Sequence, residues 1–307
     1  MPTCGEIGVA SPSRRVLITG IGGFTGRWLA ARLTEAGYRV FGLTQEPART
    51  PAEIQADLGD PPALRAALEI ARPDYIVHLA AITFVPHGDS AEIYRVNLFG
   101  TLNLLDAILA VGLQPRKILI ASSANVYGNP AVEVIDETVC PAPVNHYANS
   151  KLAMEHMVRT YDDRLPLVIT RPFNYTGVGQ AEHFLIPKIV AHYRARRPEI
   201  ELGNLDVVRD FSSVEFVATA YQKLLECSDH GFAANICSGR GIALGDIIAH
   251  MNAIAGYDIK VTVNPAFVRA NEIHRLIGSN RKLFSLIGEQ PIPDIRNLLA
   301  EMYRAPA

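Results

Sequence analysis

Three side chains in this sequence have the types and spacing for proton transfer at a carbonyl: Ser123, Tyr147 and Lys151. Tyr147 and Lys151 stand at positions i and i+4, so a helix places them on one face. A phenol ordinarily loses its proton at about pH 10. A neighbouring ammonium favours the phenolate and lowers that value. Tyr147 is therefore expected to serve as a general acid or base near neutral pH. Lys151 can also hold a ribose. Ser123, at the end of an apolar run, can hydrogen-bond the reacting carbonyl and orient it. A Y-x-x-x-K pair alone is common on protein surfaces. Here it follows Ser122-Ser-Ala-Asn-Val-Tyr-Gly128 and, further upstream, a glycine turn.

That turn, Thr19-Gly20-Ile-Gly-Gly23-Phe24-Thr25-Gly26, lies between an apolar strand and a helix. Gly20 permits a tight turn, Gly23 allows a pyrophosphate to approach, and Gly26 lets the helix pack on the strand. The phosphates then meet the positive end of the helix. A tight strand-helix turn can also bind nothing, but its context here is the one dinucleotide binding requires. The second strand ends at Thr44, where NAD-preferring proteins commonly carry an acidic residue for the ribose 2′-hydroxyl. With Arg27 and Arg49 nearby, NADP(H) is the expected cofactor and NAD(H) the alternative. In that alternative the two arginines are solvated surface charges and Glu46 takes the ribose. Asp57 and Leu58 are placed to flank the adenine, although Asp57 can instead cap a turn.

The elements around these residues alternate. Apolar strands are predicted at Arg15–Thr19, Val40–Leu43, Tyr75–Ala80, Lys117–Ser122 and Leu167–Thr170. Between them lie helices at Phe24–Ala36, from Pro61 to Ala71, from about Ser90 to Val111, and from Tyr147 to Tyr161. Such alternation implies an α/β, doubly wound parallel sheet, a Rossmann arrangement, covered on both faces. Ligands bind at the carboxyl ends of its strands. Residues 1–13 read as a loose tail and 14–172 as the dinucleotide-binding domain. Residues 173–307 read as a smaller, interleaved α/β substrate-binding region, with helices near 184–196, 213–226, 244–255 and 292–303.

The net charge of -2 offers no general attraction to nucleic acid or to an anionic membrane. Cys4, Cys140, Cys227 and Cys237 form no C-x-x-C pair, which argues against a zinc site or a disulfide scaffold and suits a cytoplasmic location. No segment reads as membrane-spanning or as a signal peptide.

The chain resembles the extended short-chain dehydrogenase/reductases that act on nucleotide sugars. The resemblance runs from Arg15 over nearly the whole chain. It rests on the glycine turn, His78-Leu-Ala-Ala81, Asn97-Leu-Phe-Gly-Thr-Leu-Asn-Leu-Leu105, Ser123 four residues before Tyr127, and Tyr147-x-x-x-Lys151. Arg171-Pro-Phe-Asn174, Arg209-Asp-Phe211 and Asn235-Ile-Cys-Ser-Gly239 extend it. It implies a catalytic set of Ser123, Tyr147, Lys151 and Asn97, with Asn97 supporting the proton relay. It also implies a cofactor groove lined by Leu79, Ala80, Ala81, Thr83 and Pro172, besides the glycine-turn residues.

Within that family, 4,6-dehydratases carry an acidic residue two positions before the tyrosine that corresponds to Tyr127, and 3,5-epimerizing reductases carry a cysteine there. This chain has Asn125, preceded by Ala124. Neither is an acid or base, whereas 4-keto reduction needs only Tyr147. Further segments, Thr83-Phe-Val-Pro86 and Gly177-Val-Gly-Gln180, are similar to the branch that reduces GDP-4-keto-6-deoxymannose. The implied reaction is 4-keto reduction of a 4-keto-6-deoxy hexose or heptose, in deoxysugar synthesis for surface polysaccharide. A UDP-sugar 4-epimerase is the second reading, and a non-catalytic dinucleotide sensor a distant third. The nucleotide-sugar diphosphate needs donors, for which Arg209, Arg269, Asn174 and Lys188 are candidates. Lys188 reads equally as a solvated helix lysine, and His183 as a capping or surface residue. Thr83, Val85, Ser123, Asn125 and Glu272 complete the expected substrate contacts. A homodimer is expected through the helices from Ser90 and Tyr147, which carry Tyr94, Leu98, Leu102, Leu105, Leu109, Leu152, Met154, Met157 and Val158.

Overall fold

Continuous apolar strands need cover on both faces, and this chain supplies it with helices from both halves of its sequence. The computed structural model describes residues 14–83, 89–267 and 273–306. The tail 1–13, Val85, Arg269 and Glu272 lie outside the described residues.

The first half runs β1 (Arg15–Thr19), α1 (Phe24–Glu35), β2 (Arg39–Thr44), β3 (Glu53–Gln55), α2 (Pro61–Ala71) and β4 (Tyr75–His78). Then come α3 (Ser90–Tyr94), a π-helical turn (Arg95–Gly100), α4 (Thr101–Ala110), β5 (Lys117–Ala121), a 3₁₀ turn (Ala124–Tyr127), α5 (His146–Val158) and β6 (Leu167–Pro172). The second half contains β7 (Asn174–Thr176), α6 (Leu185–Arg194), β8 (Glu199–Leu202), β9 (Val208–Ser213), α7 (Val214–Glu226) and β10 (Phe232–Ile236). It ends with β11 (Gly241–Ala243), α8 (Leu244–Ala255), β12 (Lys260–Val263), β13 (Arg275–Leu276), α9 (Arg281–Ile287) and α10 (Ile295–Arg304).

Seven strands form one parallel sheet in the order β3-β2-β1-β4-β5-β6-β10. The last strand and helix α7 come from the second half of the chain, so the two halves interleave. One face packs Leu17, Ile76 and Ile118 against α2, α4 and α5. The other packs Val16, Ile18 and Val77 against α1 and α7. A separate core joins α6, α8 and α10 to β8 and β12 through Ile189, Ile247 and Leu299. The strands β7, β9, β11 and β13 form a second small sheet.

The helix expected from Ser90 to Val111 is one rod with a register change in it. Its middle turn is π-helical, and the extra residue in such a turn re-aims side chains, often at functional sites. Periodicity alone does not show it.

Two glycines of the turn are required by contact. Gly20 has φ +70°, and a Cβ there would lie 2.9 Å from the Ala80 nitrogen. A Cβ on Gly26 would lie 2.3 Å from the Gly20 carbonyl oxygen, whereas one on Gly22 would meet nothing within 4 Å. In a helix Gly→Ala normally gains about 1 kcal/mol, but overpacking against backbone costs about 1–3 kcal/mol. Gly26→Ala is therefore expected to lower the thermal midpoint and weaken dinucleotide binding, and Gly22→Ala to do neither. Thermal unfolding and a fluorescence titration of both variants check this.

Candidate active site

The residues expected to be catalytic meet at the carboxyl end of β5, where the loop after the strand faces helix α5. Ser123 follows β5 and caps the 3₁₀ turn, its hydroxyl accepting from the Asn125 amide at 3.2 Å. Helix α5 starts at an Asn145 cap, whose side chain accepts from Ala148 N at 2.9 Å, and so presents Tyr147 and Lys151 toward β5. Ser123 is close enough to the Tyr147 phenol to oppose the rise in its pKa. The Lys151 ammonium is buried and donates to the Ala121 carbonyl at 2.8 Å.

The expected lowering of the Tyr147 pKa by Lys151 is not found. Burial pushes the phenol up to about 12, opposed by the Ser123 side chain. Tyr147 thus stays protonated across the physiological range, as a proton donor must. Burial pulls Lys151 down to about 8, while the Glu155 carboxylate one turn further along α5 works to raise it. Glu155 is itself paired with Arg171 of β6 in a buried two-point ion pair, with Nε at 3.0 and 3.2 Å and Nη2 at 2.5 Å from the carboxylate. Arg171 also donates to the Tyr127 hydroxyl at 2.9 Å, and Tyr127 donates to Asn235 of β10 at 2.7 Å. Tyr127 is fully buried and serves this network.

Asn97 lies in the π-helical turn, fully buried. Its side chain holds both backbone groups of Ile82, at 2.8 and 3.0 Å, and donates to Ser150 Oγ at 3.1 Å. Ser150 in turn donates to the Tyr147 carbonyl at 2.8 Å. Asn97 thus braces both the segment after Ala81 and the first turn of the catalytic helix.

The glycine turn fits a dinucleotide. Helix α1 starts at Gly23 with no side-chain cap and no acidic residue in its first turn, which leaves backbone N–H groups for an anion. Ala80 lies against Gly20, and the amides of Leu79 and Ala80 donate to the Thr19 hydroxyl at 3.2 and 3.1 Å. Ala81 is half-buried and Thr83 exposed beyond it. Phe24 stacks on Tyr175 with ring centroids 6.2 Å apart, and Thr25 hydrogen-bonds the Tyr175 hydroxyl at 2.8 Å. Arg27 donates to the carbonyls of Gly22 at 2.7 Å and Gly179 at 3.3 Å. Thr44 ends β2 half-buried, and Arg49 is exposed in the loop beyond it. Asp57 accepts from Gly59 N and from the Gln45 side chain, both at 2.6 Å, so it does form a turn. Leu58 is buried under Gly100. Pro172 ends β6 beside β10.

The expected substrate residues are spread more widely. Asn125 is half-buried beside Ser123. Asn174 begins β7, and its buried Nδ2 has no hydrogen-bond partner among the described residues. Arg209 is half-buried on β9 and donates to the carbonyls of Val208 and His274 at 3.0 and 3.3 Å. The Lys188 ammonium donates to the Glu201 carbonyl at 3.0 Å and lies 4.6 Å from the centre of the Phe267 ring. His183 is exposed against Phe184. Sequence reasoning missed Tyr175, Glu155 and Gln45. Only Glu155 had a legible signal, a carboxylate at i+4 from Lys151.

Removal of Glu155 leaves the buried Arg171 without its counter-charge. Glu155→Gln is expected to cost about 3–5 kcal/mol of stability. It also moves Lys151 below its value of about 8, because the cause that raises it is gone. The alkaline limb of kcat/KM, set by loss of the ammonium in the free enzyme, then shifts to lower pH. Denaturant unfolding and a pH–rate profile measure the two effects.

The model of the family described as GDP-mannose 4,6 dehydratase matches residues 17–302. GDP-6-deoxy-D-talose 4-dehydrogenase of Aggregatibacter actinomycetemcomitans is 37% identical, over 94% of this chain and 97% of that protein. GDP-6-deoxy-D-mannose reductase of Pseudomonas aeruginosa PAO1 is 34% identical, over 94% and 95%. Among solved structures, a candidate epimerase from Burkholderia cenocepacia J2315 aligns with TM-score 0.89 at 48% identity, covering 95% of this chain and 97% of that one. RMD from Pseudomonas aeruginosa, complexed with NADPH, aligns with TM-score 0.83 at 31% identity, covering 94% and 97%. Among the described residues no helix is long and apolar enough to cross a membrane, and no cluster of side chains is suited to a metal. With its glycine turn, its Ser123–Tyr147–Lys151 set and these relatives, the chain belongs to the GDP-mannose 4,6-dehydratase family of extended short-chain dehydrogenase/reductases and is an NAD(P)-dependent nucleotide-sugar oxidoreductase.

Proposed function

We propose that this enzyme reduces the 4-keto group of a GDP-linked 4-keto-6-deoxy sugar, a hexose or heptose, in the cytoplasm. The observation that carries the reading is Asn125. It sits half-buried in the 3₁₀ turn beside Ser123, where 4,6-elimination or 3,5-epimerization chemistry requires an acid, base or thiol. Tyr147, Ser123 and Lys151 are the proton-handling groups left, and they suffice for a reduction. The names of the two relatives, a 4-dehydrogenase and a reductase of GDP-6-deoxy sugars, support this reading.

Bound NADPH supplies a hydride to the sugar carbonyl carbon. Tyr147 gives its proton to the carbonyl oxygen as the bond order falls. Ser123 orients that oxygen, and the Lys151 ammonium stabilises the negative charge left on the phenol. Asn174 and Arg209 serve the diphosphate. NADPH is preferred over NADH because neutral Thr44 spares a 2′-phosphate the repulsion of a carboxylate, with Arg49 beside it and Arg27 at the glycine turn. The molecule acts as a homodimer through the outer faces of α3, α4 and α5. Leu105, Met154 and Val158 are buried in its own core, but Phe99 and Met157 are 56% and 44% exposed there.

Assay of the purified protein with NADPH and NADH against freshly generated GDP-4-keto-6-deoxymannose, with product stereochemistry, tests the reaction. Dehydratase turnover of GDP-mannose would overturn it. Tyr147→Phe is expected to lose about 10²–10⁴-fold in kcat and to keep dinucleotide affinity. Light scattering at micromolar concentration tests the dimer, and a fully active monomer removes it.

A further inference from the structure

One buried titratable residue beside the active site has no part in the chemistry described above. His78 ends β4 at 2% exposure, and both its ring nitrogens are engaged. Nδ1 lies 2.7 Å from the Thr19 hydroxyl and Nε2 lies 2.9 Å from the Thr101 hydroxyl.

The proton positions follow from the other bonds of those hydroxyls. Thr101 donates to the Asn97 carbonyl at 2.8 Å, so its single proton is used and it must accept from His78 Nε2–H. Thr19 already accepts from the amides of Leu79 and Ala80, so it donates to Nδ1. The imidazole is neutral and carries its proton on Nε2. Burial and the nearby Lys151 charge both favour that neutral form.

We propose that His78 is a positioning residue. It carries a one-way hydrogen-bond chain, Thr19 to His78 to Thr101 to the Asn97 carbonyl, which sets the cofactor groove in register with the catalytic helix. The groove end of the chain is Thr19, which holds the Leu79 and Ala80 amides beside Gly20. The other end is Asn97, which clamps Ile82 and, through Ser150, the carbonyl of Tyr147. His78 spans the gap between Thr19 of β1 and Thr101 of α4 by accepting at Nδ1 and donating at Nε2. A phenylalanine fills the same space and makes neither bond.

The catalytic arm of the test rests on the reductase reading; the spectroscopic arm does not. In ¹⁵N-labelled protein at pH 7, the His78 ring is expected to show the Nε2–H tautomer. Thr101→Val, which removes the donor to Asn97, is expected to speed hydrogen exchange at the Ile82 amide. In turnover, His78→Phe and Thr101→Val should each lower kcat on the order of 10²-fold with little change in the KM of the sugar. The double variant should lose no more than either single one, because both cut one chain. His78→Gln, whose Nε2 can still donate to Thr101, should keep most of the rate.

A Nδ1–H tautomer, unchanged Ile82 exchange in Thr101→Val, additive losses in the double variant, or full activity of His78→Phe would each overturn the proposal. If His78→Phe does not fold, Thr101→Val and His78→Gln still decide it. A wild-type protein that reduces no keto-sugar defeats the proposed reaction, and the tautomer and exchange arms then judge this inference alone.

Discussion

The buried ion pair between Arg171 and Glu155 is the interaction on which the active site depends. It ties β6 to α5 at full burial, and through Tyr127 it reaches the 3₁₀ turn after Ser123 and then Asn235 on β10. Four separate elements are thereby held in one arrangement. Two charges so deep in a core cost several kcal/mol each to desolvate, and their attraction returns that only if the geometry is complete. Here the guanidinium has both carboxylate oxygens and a phenol as partners. The pair is poor evidence for overall stability and good evidence for a specified geometry. The specified object is the position of α5, and with it that of Tyr147 and Lys151.

The same pair sets the charge of the site. Burial favours the neutral form of every group, and it acts that way on the phenol, the amine and the imidazole here. Glu155 opposes it for Lys151. Arg171 remains charged, because the carboxylate and the phenol both raise its pKa. One carboxylate, Glu155, thus serves both cations, pairing with Arg171 and holding Lys151 toward its charged form. In the proposed reduction, a Lys151 held charged in this way meets the negative charge left on the phenol, and a charge fixed in advance needs no reorganisation at the moment of reaction.

Much of this was legible in the sequence because it follows from local rules. The parallel sheet came from apolar strands such as Tyr75–His78, buried on both faces. The glycine turn came from its glycine spacing between a strand and a helix, and the shared face of Tyr147 and Lys151 came from the i, i+4 spacing. What was not legible depends on partners distant in sequence. The pairing of Arg171 with Glu155, the closure of the sheet by β10, and the contact of Tyr175 with Thr25 across 150 residues leave no local pattern. The Tyr147 pKa went the wrong way for the same reason. A neighbouring lysine can be read from spacing, but the depth at which the phenol is buried cannot.

The second half of the chain lacks strong periodicity, yet it is organised by a comparable device. Asp210 on β9 is fully buried and accepts from the amides of Ser238, Gly239 and Gly278 and from the Ser238 hydroxyl, at 2.6 to 3.3 Å. Burial still raises its pKa despite those donors. One carboxylate thus gathers the turn after β10 and the segment after β13 around the middle of β9. Successive residues of a strand face opposite ways, so fixing Asp210 inward turns Arg209 to the other side. The buried carboxylate that organises this half and the guanidinium proposed for the diphosphate are therefore set by one strand register. A slip of one residue in β9 would bury the arginine and expose the acid.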